Sequence, residues 1–110
     1  MANCSIALQV LPQIKESLYV CGGENSNSNT QEVFRVVDEV IKYIDQTGVK
    51  YVVSPFETVM EGDFDELVAI VKQAQKIAVE AGASSVLSYI KLAYNPKGVS
   101  TIEDKTDKYQ

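Results

Sequence analysis

Carboxylates are the side chains best able to do chemistry here, because the 110 residues contain no histidine. That removes the commonest general base, the commonest zinc ligand and every Ser–His or Cys–His triad. A reaction would have to run on carboxylate, lysine or tyrosine alone, so an enzyme is not expected. Without His or clustered Cys, no metal centre is expected either. The carboxylates gather in "SPFETVMEGDFDEL", residues 54–67. Two of them, Glu57 and Glu61, fall in a stretch that otherwise reads as strand, where carboxylates are depleted. They either decorate a wet surface or face a ligand.

The balance of charge narrows the partners. Net charge is -5 and the pI is near 4.6. Nucleic acid and anionic membrane surfaces call for basic patches, so both are disfavoured, whereas a cationic ligand is permitted. No apolar run reaches the ~18–20 residues of a membrane span. "MANCSIALQVLP" lacks the basic start of a signal peptide. A cytoplasmic protein is expected, built as one domain over residues 1–110. Cys4 reads as a buried thiol and Cys21 as a loop residue, with no disulfide expected in a reducing compartment.

The elements that would hold these residues follow from periodicity. "NCSIALQVL" (3–11) alternates as a strand and Pro12 is expected to end it. Residues 13–30 read as a long polar loop, with "IKESLYV" a possible short edge strand. "NTQEVFRVVDEVIKYIDQTG" reads as a helix capped at Asn29 or Thr30, with Val33, Val37, Val40, Ile41 and Ile44 as its apolar stripe. "VKYVVS" and "FETVMEG" read as two short strands around Pro55. Asp63 and Glu66 cap a second helix, whose stripe runs through Leu67, Ile70, Val71, Ala74, Ile77, Ala78 and Ala81 and stops at Gly82. "SSVLSYIKLAY" is a fourth strand. Ser100 with Glu103 predicts a short C-terminal helix.

The order β-α-β-β-α-β is the split βαβ arrangement. The fold class is α+β: a ferredoxin-like sandwich with both helices on one face of a four-stranded antiparallel sheet. The last strand and the central hairpin carry apolar residues in both registers. A sheet apolar on both sides implies a second cover, and the economical cover is another copy of the chain, in a dimer or larger symmetric assembly.

"ALQVLP", "VFRVVDEVIKYIDQTGVKYVVSPFETVMEGDFDEL" and "YIKLAYNP" together resemble the small thiamine-binding protein family, many of whose members are described as uncharacterised conserved proteins. The resemblance runs from Ile6 to about Asn95. It implies a ferredoxin-like fold, pairing of sheets into homodimers or dimers of dimers, and binding of thiamine or its hydroxymethylpyrimidine portion without catalysis or a cofactor. It also implies a ligand site at or near a subunit interface. The aminopyrimidine pairs an acceptor ring nitrogen with an amine donor, which a backbone edge, an amide or a carboxyl group can satisfy. Aromatic faces and carboxylates suit the cationic thiazolium.

The candidate ligand-binding residues are Glu61, Thr58, Gln9, Glu57, Ser54 and Tyr89, with Tyr51 nearby in the inventory. Alternation puts Glu57 and Glu61 on one strand face and Thr58 on the other. Glu61, at the strand end beside Gly62, is the stronger ligand candidate of the two glutamates, or else a solvated strand-end carboxylate. The alternative function is an interaction or regulatory domain whose open sheet takes a protein partner or another metabolite. An enzyme with a carboxylate base is the third reading.

Overall fold

The computed structural model describes residues 2–14, 23–106 and 109. The elements are β1 (Cys4–Gln13), α1 (Gly23–Thr47), β2 (Lys50–Val53), β3 (Thr58–Gly62), α2 (Phe64–Glu80), β4 (Ser85–Tyr94) and α3 (Ile102–Thr106). They form one four-stranded sheet in the order β2-β3-β1-β4, antiparallel at every pairing. The ferredoxin-like arrangement expected from the order of elements is the one observed.

Alternation decides which side chains meet the helices. Cys4, Ile6 and Leu8 of β1 pair with Gly62, Met60 and Thr58 of β3 and share a face. That face packs on Val36, Val40 and Ile44 of α1 and on Leu67, Ile70, Ala74 and Ala78 of α2. Full burial of a Val, Leu, Ile or Met side chain contributes roughly 1.5–3 kcal/mol. The core residue missed in the α1 stripe is Val36, fully buried, whereas Val33, Val37 and Ile41 are half-buried. Burial pushes the Cys4 thiol pKa up, assisted by Asp63, so it is an inert core group.

Helix α2 begins with two caps. Asp63 Oδ2 accepts from the Glu66 amide at 3.2 Å, as the sequence predicts. Asn3 Oδ1 accepts from the Phe64 amide at 2.9 Å, a cap supplied from 61 residues away. Gly82 follows at φ 124, a conformation that favours glycine.

Four boundaries differ from the sequence reading. Pro12 does not end β1, which runs on to Gln13. Beyond Leu8 the strand has β4 on one side and no described strand on the other, so a residue without an N–H is tolerated. Residues 13–30 are not one loop: Gln13 is strand, and α1 begins at Gly23, before the expected Asn29 or Thr30 cap. No proline interrupts residues 13–54, and Asn and Ser each cost a helix only ~0.5–0.7 kcal/mol, so the absence of apolar periodicity did not end it. The suggested edge strand in "IKESLYV" and the loop placement of Cys21 lie outside the described residues, apart from Ile14. Third, Phe56 and Glu57 are not in a strand. Ser54 donates its amide to the Glu57 carbonyl at 2.9 Å and its hydroxyl to the same oxygen at 2.7 Å, closing a turn over 54–57. Last, α3 is capped by Thr101 with Asp104, one residue beyond the expected Ser100 and Glu103.

Candidate functional site

The late start of β3, at Thr58, leaves a gap. β3 pairs with β1 only as far as Leu8, while β1 continues for five more residues, through Gln13. The 54–57 turn, the free flank of β1 and the middle of α1 enclose that gap as a cavity of about 220 Å³. Its α1 wall is apolar, with Val37, Val40, Ile41 and Ile44 among the lining residues. The polar groups stand on the strand side: Gln9, Ser54, Glu57 and Thr58. Phe34 and Phe56, 63% and 78% exposed, flank it.

Four of the six candidate residues therefore converge: Gln9, Ser54, Glu57 and Thr58. The turn makes this possible. Strict alternation would set Glu57 and Thr58 on opposite faces, but Glu57 belongs to the turn and so escapes the strand's pleat. Thr58, 7% exposed, lies on the helix-facing side opposite Leu8.

Glu61 and Tyr89 are placed elsewhere. Tyr89 is the cross-strand partner of Gln9 on the open face, exposed and outside the cavity lining. Glu61 lies towards the far end of β3 and is only 8% exposed. One carboxylate oxygen accepts from the Ile102 amide at 2.8 Å, and the other is 3.2 Å from Lys50 Nζ. Lys50 also bonds Glu103 of α3. That hydrogen bond holds the Glu103 pKa below its ordinary value and the Lys50 pKa above its own. Glu61 thus fastens the C-terminal segment to the open face of the sheet. Tyr51 is also engaged, its hydroxyl donating to Asp45 at 2.9 Å.

Phe34 and Phe56 are the residues that the sequence reading left out of the site. Phe34 lies at the edge of the apolar stripe of its helix, three residues before Val37 and seven before Ile41, and an aromatic at such a position is the signal that was available. Among the described residues, no group of His, Cys, Asp and Glu is arranged to hold a metal ion. No described helix is long and apolar enough to cross a membrane.

A four-stranded antiparallel sheet in the order β2-β3-β1-β4, packed on two helices, defines the class of small ferredoxin-like α+β proteins. Within that class, this chain belongs to the thiamine-binding protein family, whose model matches residues 26–110. It is 41% identical over the whole of both chains to a UPF0045 protein of Clostridium perfringens. A domain of unknown function from Bacillus cereus superposes with a TM-score of 0.77 at 36% identity, covering 97% of this chain and 89% of that one. A candidate thiamine biosynthesis/salvage protein of Thermotoga maritima gives a TM-score of 0.76 at 25% identity, covering 97% of this chain and 98% of that one.

Proposed function

We propose that this chain is a non-catalytic binding protein for thiamine or its hydroxymethylpyrimidine portion, and that the ring enters the cleft between α1 and the 54–57 turn. The observation that carries this reading is the pairing of an apolar wall with a strand flank that no described strand covers. A strand edge offers unpaired backbone donors and acceptors. Those groups, with the Thr58 hydroxyl, match the donor–acceptor edge of an aminopyrimidine. The volume supports one ring rather than two: an apolar cavity of about 150 Å³ accommodates benzene, so about 220 Å³ suits a single substituted ring. The thiazolium of thiamine would then lie at the mouth, beside Phe34 and Phe56.

Self-association belongs to the same proposal. Leu87 and Tyr89 on the open side of β4 are exposed, and so are Ile90, Leu92 and Tyr94 on its other side. An apolar edge strand exposed on both sides is an assembly surface that a second copy would cover. The reading of the open sheet as a docking face for a different protein loses ground at one end, where α3 already sits over Glu61.

Thermal shift with hydroxymethylpyrimidine and thiamine tests the binding reading. Ligand at 100 times its dissociation constant should stabilise the fold by about 2.7 kcal/mol. No shift with either compound at millimolar concentration would defeat it.

A further inference from the structure

We infer that the cleft takes an uncharged or cationic ring and excludes the phosphate ester of the same ring. This rests on the binding reading above and adds the charge of the ligand to it. Among the described residues lining the cleft, one is ionisable, Glu57, and it is an acid. Proteins hold phosphate with arginine or lysine, or with backbone amides left free at a helix start or a turn.

Among the described residues lining the cleft there is no arginine or lysine and no helix start. Arg35 stands on α1, but its guanidinium is bonded to Glu32 and to the Ala81 carbonyl at the end of α2. Lys50 stands on β2, but it is paired with Glu61 and Glu103 beyond the opposite end of β3. Two of the turn amides are engaged within the turn: Ser54 donates to the Glu57 carbonyl and Glu57 to the Ser54 hydroxyl. A phosphate ester carries about -1.5 to -2 charge at neutral pH. Set in this cleft, it would lose water, gain no cation and face a carboxylate across apolar walls that strengthen the repulsion. The exposed faces of Phe34 and Phe56 carry negative quadrupole and favour positive charge. An overall charge of -5 acts in the same direction.

The test is calorimetric titration of the full chain with hydroxymethylpyrimidine and with hydroxymethylpyrimidine phosphate. The phosphate should bind at least about tenfold more weakly. Glu57→Gln should narrow that gap and Glu57→Lys should narrow it further. Backbone groups of Glu57 make its turn hydrogen bonds, so both variants keep the turn, and unchanged ligand-free melting checks this. Equal or tighter binding of the phosphate would overturn the inference and leave the binding reading standing. A gap that neither variant changes would overturn the part given to Glu57. If neither compound binds, the binding reading itself fails.

Discussion

The carboxylate of Glu61 accepts a hydrogen bond from the backbone amide of Ile102 at 2.8 Å, across 41 residues of sequence. A strand-end glutamate is thereby buried on the open side of the sheet and becomes the anchor of the C-terminal helix. Glu61→Ala should free that segment. Hydrogen bonds to a charged group contribute about 1.5–3 kcal/mol, so a stability loss of that order or less is expected, with faster amide exchange confined to residues 101–106. Affinity for hydroxymethylpyrimidine should stay within about twofold. A collapse of affinity with the tail still protected would place Glu61 in the binding site.

The tail should respond to pH at both extremes. Glu103 is depressed from an ordinary 4.5 by its bond to Lys50, so its contribution is complete above that value and is lost as pH falls through the folded-state pKa. Lys50 is raised from an ordinary 10.5, chiefly by the same bond, so its contribution is complete below that value and is lost as pH rises through the folded-state pKa. A plateau between these limits is expected for the NMR shifts of Ile102 and Asp104. Both groups are solvent-exposed, and added salt should weaken the attachment throughout. A transition in the middle of the plateau would contradict the pairing.

Filling the cleft should separate binding from folding. Val37 lines it and is half-buried. Val37→Phe places a ring into a cavity of about 220 Å³ and should weaken hydroxymethylpyrimidine binding by at least about tenfold while the chain stays folded. Circular dichroism and titration calorimetry on the same sample read both effects. Unaltered affinity in a folded variant would move the ligand elsewhere.

The register of α1 can be checked by paired truncations. Ile44 is fully buried and Ile41 is half-buried at the cleft. Ile44→Ala should cost about 2–5 kcal/mol and Ile41→Ala clearly less, measured by urea denaturation. Equal costs would show that the helix is rotated from the orientation described.

Assembly is tested by light scattering after size-exclusion chromatography. The proposed self-association predicts at least a dimer, and Leu87→Asp with Tyr89→Lys should shift it towards monomer. A monomeric native chain would remove the apolar edge of β4 as an assembly surface.

The element order was legible in the sequence because each helix carries its own cap or stop and each strand its own alternation. Asp63 and the Leu67–Ala78 stripe are read locally and formed locally. The site was legible only in its inventory. Glu57 and Thr58 come together because Ser54 closes a turn on the Glu57 carbonyl, and a count of alternating residues cannot register such a turn. Pro12 stays in a strand because β3 begins only at Thr58, opposite Leu8, a fact about a neighbour rather than about Pro12. The burial of Glu61 depends on a segment that returns from the C-terminus, so no window around residue 61 contains it.

The central claim is that a pyrimidine ring occupies the cleft between α1 and the 54–57 turn. The most direct test is an NMR titration of the isotope-labelled chain with hydroxymethylpyrimidine. Saturable shifts of the Gln9, Val37, Ser54, Glu57 and Thr58 amides, with Ser5, Glu61 and Ile102 unmoved, are the predicted result. Shifts centred on Glu61 and Ile102, or no saturable shift at millimolar ligand, would contradict it.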